Sequence, residues 1–139
     1  QLHDSIQKSG AVITSPQIWP AAAGYAPWVE EVWMNYLTNA IKYGGKPPEI
    51  NIGAENQNNG MVRFWIKDNG NGIPKEEQTR IFKKYIRLSP ASADGYGLGL
   101  SIVKRIIEKL DGKVGLESAG KPGEGSVFWF ELPGIENNR

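Results

Sequence analysis

Apolar residues recur along residues 27–43 (PWVEEVWMNYLTNAIKY) at the spacing of an α-helix. Val29, Val32, Trp33, Tyr36, Leu37, Ala40 and Ile41 share one broad face at about 100° per residue. Pro27 suits a first helical turn, Gly44-Gly45 ends the run, and Pro47-Pro48 follows. The period then changes to two. Residues 49–54 and 61–67 alternate between apolar and polar, and the Asn59-Gly60 turn pair between them predicts a hairpin. A polar helix is predicted over 75–85. A strongly amphipathic helix is predicted over 98–110, with Leu98, Ile102, Val103, Ile106, Ile107 and Leu110 on its apolar side. Two strands, near 112–118 and 125–132, flank a turn holding Gly120, Pro122, Gly123 and Gly125. Weaker signals predict the tail of a helix over 1–10, a short strand over 11–15, loops over 16–27 and 89–97, and a frayed C-terminal tail. Helices interleaved with antiparallel hairpins predict an α/β two-layer sandwich, a mixed, mostly antiparallel sheet with helices packed on one face.

Composition narrows the function classes. The 139 residues suit one domain, and 40% apolar with 22% charged residues is an ordinary globular mix. Sixteen basic residues against fifteen acidic ones give a net charge of +1 with no basic stripe, so no nucleic-acid partner is expected. The absence of cysteine excludes a disulfide framework and a thiolate metal site, and fits a reducing compartment. No apolar run approaches the roughly 18 residues that cross a bilayer, and no signal peptide opens the chain. The expectation is a cytoplasmic location, without membrane contact by this domain. The chain opens at Gln1 rather than Met, and is read as a fragment or a processed product.

Three features carry candidate chemistry. Period two places Asp68 on the same face as Val62, Phe64 and Ile66. If that face is the core, a carboxylate lies at the edge of an apolar layer and needs donors, because burying it unpaired costs several kcal/mol. Gly70 and Gly72 allow a sharp turn and leave room for a flat ring, although Asp-Asn-Gly is also ordinary turn chemistry. Second, Glu31, Asn35, Asn39 and Lys42 form a polar strip about 80° wide on the first helix. Amide oxygens suit Mg²⁺ and a lysine suits phosphate, but a solvated helix face would look the same. Third, GYGLGL (95–100) opens onto a helix, either as an anion-binding helix start or as a flexible loop and cap.

Taken in order, NxxxNAxKYG, DNGNGIP, IFKKYIRL, GYGLGLSIVK and GEGSVFWFELP closely resemble the N, G1, F, G2 and G3 boxes of sensor histidine kinase catalytic domains. These domains are members of the GHKL superfamily and share the Bergerat ATP-binding fold. The resemblance covers about residues 28–133. It implies ATP and Mg²⁺ as cofactors. Asn39 matches the Mg²⁺ ligand, Asn35 a neighbour of the phosphates, Lys42 a phosphate contact and Tyr43 a wall of the adenine site. Asp68 matches the acceptor of the adenine amino group, with Gly70, Gly72 and Ile73 beside it. Arg87 would approach the terminal phosphate. Gly95, Gly97, Leu98, Gly99 and Leu100 would form the lid and helix start, Ser126 would line the base side, and Phe82 and Tyr85 would anchor the lid. The implied catalytic set is Asn35, Asn39, Lys42 and Arg87.

In the ATP-hydrolysing relatives a glutamate base precedes the Mg²⁺ asparagine by one helical turn. Here that position is Asn35, and an amide cannot take a proton from water. The resemblance therefore implies phosphoryl transfer to a histidine on a separate dimerisation domain of the same kinase, with a response regulator downstream. The one histidine, His3, lies in LHDSIQ rather than an HExxxP-like setting and reads as a surface residue. On this resemblance, residues 1–139 form a single catalytic domain, truncated at its N-terminus and lacking the phospho-acceptor domain. It would be monomeric, and would bind Mg-ATP without phosphorylating itself. Departures from the pattern are Tyr85-Ile86 where an aromatic pair is commoner, a short 88–97 loop, and Ala26-Pro27 in place of a capping residue. A nucleotide-holding pseudokinase, an anti-sigma-type serine kinase and a purely structural domain are the alternatives.

Overall fold

The computed structural model describes residues 10–16, 19–83 and 96–135, with the backbone alone for Tyr96–Leu98. The elements are β1 (Val12–Thr14), α1 (Ala26–Tyr43), β2 (Glu49–Asn56), β3 (Met61–Lys67), α2 (Lys75–Gln78), α3 (Tyr96–Lys109), β4 (Lys113–Ser118) and β5 (Ser126–Pro133). The strands form one five-stranded sheet in the order β1-β2-β3-β5-β4. Among these strands only β1 and β2 pair in parallel, with Val12 opposite Glu49. The others pair antiparallel, as the hairpin patterns predict.

Alternation along the strands decides the two faces. Ile50, Val62, Ile66, Phe128, Phe130 and Leu132 point to one side and are buried there with Val32, Tyr36 and Ala40 of α1 and Leu100, Val103 and Ile107 of α3. The two long helices therefore lie side by side on a single sheet face, which is the predicted two-layer sandwich. The i, i+4, i+8 spacing of Val32, Tyr36 and Ala40 is the buried centre of the stripe seen in the sequence. Tyr36 also reaches across the layer, and its hydroxyl donates to the Trp129 carbonyl at 3.0 Å.

Helix α1 begins without a side-chain cap, as the residues at 26–27 imply. The Tyr25 carbonyl accepts from the N–H groups of Trp28 and Val29, both at 3.0 Å, and Pro27 has no N–H to satisfy. The β2–β3 hairpin turns through residues 57–60, with Gly60 at φ +83°.

Two expectations change. The polar helix predicted over 75–85 is one turn, Lys75–Gln78, followed by turns through Lys83; residues 84 and 85 lie outside the described part. That turn buries none of its own side chains, so no apolar face extends it; Ile81, past its end, is the residue that enters the core. The helix predicted over 98–110 starts two residues earlier, at Tyr96. Gly97 and Gly99 thus lie in its opening turn, where glycine weakens the helix least. It also ends earlier, at Lys109, and Asp111 takes φ +68° just beyond it. The signals over residues 1–9 (with His3), over 84–95 (with Tyr85, Arg87 and Gly95) and over 136–139 lie outside the described residues.

The other sheet face carries a layer of its own side chains. Gly53, Trp65, Trp129 and Gly115 stand in one row across β2, β3, β5 and β4. A Cβ at Gly53 would stand 2.3 Å from Trp65, and one at Gly115 would stand 2.2 Å from Trp129, so each indole lies flat over a glycine. The Arg63 guanidinium covers the Trp129 ring at 3.8 Å and pairs with Glu131 at 2.6 Å.

Candidate functional site

The candidate residues gather along the polar strip of α1 and at its two ends. Near the C-terminal end of the helix is the turn that follows β3. Asp68 continues the inward register of Val62, Phe64 and Ile66 and is 5% exposed. Its Oδ1 accepts from the Gly70 N–H at 2.9 Å and from the Ser126 N–H at 3.2 Å. Among the described residues, both hydrogen bonds to this carboxylate fall on Oδ1. Burial raises the carboxyl above the usual carboxylate range, against the two backbone donors, which lower it. Ser126 is buried, and its carbonyl accepts from the Asp68 N–H at 3.0 Å, so the two residues hold each other.

Glycines bring three backbone segments into contact here. A Cβ at Gly70 would stand 2.0 Å from the Tyr43 carbonyl oxygen, and one at Gly125, where φ is +67°, would stand 1.8 Å from the Asp68 carbonyl oxygen. The Gly70 carbonyl accepts from the N–H groups of Gly123 and Gly125, both at 3.0 Å. The end of α1, the 68–72 turn and the β4–β5 turn therefore form one cradle around Asp68. Gly72 takes φ +79° beside Ser118. Ile73 is buried in the core, and its N–H donates to Ser118 Oγ at 2.9 Å.

Several positions absent from the sequence-based set build this cradle. Asn69 Oδ1 accepts from Gly45 N–H at 2.7 Å and Glu49 N–H at 2.9 Å, and its Nδ2 donates to the Pro47 carbonyl at 3.2 Å. It pins the 44–49 loop to the turn. Ser118 Oγ donates to the Gly125 carbonyl at 3.1 Å, and Gln78 Nε2 donates to the carbonyls of Ile73 at 2.8 Å and Ser118 at 2.9 Å. These bonds link residues 40 or more apart in the case of Ile73–Ser118 and Gln78–Ser118. The local pattern carries no signal for them, apart from Asn69 lying next to Asp68.

At the other end of the strip, Asn35 meets α3. A Cβ at Gly99 would stand 2.5 Å from Asn35 Oδ1, so the glycine admits the amide to the opening turns of that helix. Asn39 is half-buried between these two ends, Lys42 is exposed, and Lys42 Nζ lies 5.6 Å from the Tyr43 ring centre. From Asn35 to Tyr43 the helix rises about 12 Å. Leu100 is fully buried in the core, where its side chain supports α3. Gly97 and Leu98 belong to the α3 backbone, while Arg87 and Gly95 lie outside the described residues. No cluster of three or more histidine, aspartate or glutamate side chains that could hold a metal occurs among the described residues. Any cation here would meet amide oxygens and ligand oxygens, the hard donor set that Mg²⁺ accepts.

The family model for histidine kinase-, DNA gyrase B- and HSP90-like ATPases matches residues 24–135. The chain is 38% identical over 107 residues to the adaptive-response sensory kinase SasA of Prochlorococcus marinus, a match that covers 76% of this chain and 28% of SasA. It spans under a third of that relative's length. Its fold superposes on the nucleotide-free catalytic domain of histidine kinase ThkA with a TM-score of 0.78 at 27% identity, covering 97% of this chain and 88% of that one. Full-length ShkA, solved in complex with AMPPNP, gives a TM-score of 0.79 at 28% identity, covering 96% of this chain and 28% of ShkA.

Proposed function

Because the chain belongs to the histidine kinase-, DNA gyrase B- and HSP90-like ATPase family, we propose that it is the ATP-binding catalytic domain of a sensor histidine kinase, passing the γ-phosphoryl group of ATP to a histidine on a separate dimerisation domain. A response regulator is the downstream partner in this reading. The observation that carries it is Asp68, a buried carboxylate with both backbone donors on one oxygen, walled by glycines that leave no room for side chains.

Asp68 has an oxygen left to accept from the amino group of adenine, and Gly70, Gly72 and Gly125 let the backbone wall close tightly behind that carboxylate. Ile73 supports that wall from the core, Ser126 holds the carboxylate from the sheet side, and Tyr43 closes the α1 side. Asn39 offers an amide oxygen to Mg²⁺, Lys42 a cation to the phosphates, and Asn35 and the opening turn of α3 (Gly97, Leu98, Gly99) face the phosphate end. Arg87 and Gly95 keep the roles implied by the motif. Asn39 would hold Mg²⁺, which when bound would supply charge neutralisation at the phosphate oxygens. The residues of this chain supply position and electrostatics. Asn35 has no basic atom with which to activate water, which favours transfer over hydrolysis.

Isothermal titration of Mg-ATP and Mg-ADP into the wild type and Asp68→Ala tests the reading. Loss of a hydrogen bond to a charged group is worth about 1.5–3 kcal/mol, so affinity should fall at least about tenfold. Equal affinity of the two proteins would remove Asp68 from the site.

A further inference from the structure

Asn35 has its amide turned by a single neighbouring residue. Its Nδ2 donates to the Glu31 backbone carbonyl at 2.8 Å and to Glu31 Oε2 at 3.2 Å. An amide carries its donors on nitrogen and its acceptor on oxygen. Two acceptors beside one end of the group therefore decide which atom occupies that end, because the reversed amide would set oxygen against oxygen. The other end is then Oδ1, and it lies against Gly99, where a Cβ would be 2.5 Å away. Gly99 is the fourth residue of α3, which begins at Tyr96, and lies next to the opening N–H groups that lack intrahelical acceptors. Glu31 itself lies about 12 Å along the helix from Asn39, two turns away from the amide assigned to the metal.

We propose that Glu31 is a positioning residue, one that fixes the Asn35 amide with its oxygen toward the tip of α3 and so sets the Mg²⁺ dependence of nucleotide binding without touching nucleotide or metal. The functional half of this proposal rests on the ATP-binding reading above. The orientation matters by sign. An amide oxygen attracts a hydrated cation and accepts from backbone N–H groups, whereas a reversed amide would present an NH₂ group to both. A carboxylate that orients a group from behind the site acts as outer-shell partners of metal ligands do. The backbone carbonyl of Glu31 supplies one acceptor whatever side chain stands there, so the side chain tunes an orientation already favoured.

Two variants separate orientation from charge and from folding. Glu31→Gln keeps an acceptor oxygen within reach of Asn35 and removes the charge. Glu31→Ala removes the side-chain acceptor at an exposed helical position that alanine suits. In the ligand-free protein, the ¹H–¹⁵N resonances of the Asn35 side-chain NH₂ should move more in Glu31→Ala than in Glu31→Gln. With ADP present, Glu31→Ala should need about 3–10 times more Mg²⁺ for half-maximal tightening of binding, Glu31→Gln should stay near the wild type, and Mg²⁺-free adenosine should bind all three alike. Unchanged Asn35 resonances in Glu31→Ala overturn the contact. An unchanged Mg²⁺ requirement, or a parallel loss of adenosine affinity, overturns the positioning role. A wild type that binds no nucleotide refutes the ATP-binding reading, and with it the functional half, leaving the resonances to decide the contact.

Discussion

Asp68 is buried as a carboxylate at the rim of an apolar layer, and its environment pulls in two directions. Desolvation raises its proton affinity and the Gly70 and Ser126 N–H groups lower it, with desolvation the larger. The folded chain therefore holds this proton more tightly than the unfolded chain. Stability from this group is fully present below the unfolded value and is lost as pH rises through the raised folded value. Asp68→Asn keeps an oxygen for both backbone donors and has no charge to bury. The Tm of this variant relative to the wild type should rise as pH goes from acidic to neutral, which thermal unfolding across pH will show. The same variant places an NH₂ where an acceptor is needed, so it should bind Mg-ADP poorly although it folds. Gly125 tests the cradle itself. With φ +67° and the Asp68 carbonyl at 1.8 Å from an added Cβ, Gly125→Ala should cost about 2–4 kcal/mol in urea unfolding.

Between elements, the strand pairings turn single residues into rungs. Trp65 and Trp129 spread outward over Gly53 and Gly115, so glycine in the middle of β2 and of β4 makes room for an indole from the neighbouring strand. Gly115→Val should displace Trp129 and lose about 1–3 kcal/mol, with a change in tryptophan emission. Asn69 plays the corresponding part for the 44–49 loop. Asn69→Ala strips acceptors from the Gly45 and Glu49 N–H groups and should cost about 1–3 kcal/mol. Periodicity exposed α1, α3, both hairpins and the sandwich because each buries one stripe or one face. It overstated α2, since a polar run with no apolar face looks helical and yet has nothing to pack. Asp68 was legible from strand parity and from its motif. Ser118, Gln78 and Gly125 were not, because their roles exist only after β4 and β5 fold back on the 68–73 turn. Leu100, grouped with the ligand contacts, is buried in the core on α3.

Across the whole molecule, α1 joins the two ends of the candidate site. Its C-terminal end abuts the Asp68 cradle through Tyr43 and Gly70, and one polar strip runs back to Asn35 against α3. A ligand that spans both ends should stabilise the fold more than one that reaches a single end. Mg-ADP at about one hundred times its Kd should add about 2.7 kcal/mol and raise the Tm. Asn39→Ala should weaken Mg-ADP more than Mg²⁺-free adenosine. The most direct measurement is a ¹H–¹⁵N titration of this chain with Mg²⁺ and a non-hydrolysable ATP analogue. The amides of Asp68, Gly70 and Ser126 should shift together with those of Asn35, Asn39 and Gly99, all saturating at one ligand concentration. Shifts confined to one end of α1, or centred on the Trp65–Trp129 face, would contradict this reading.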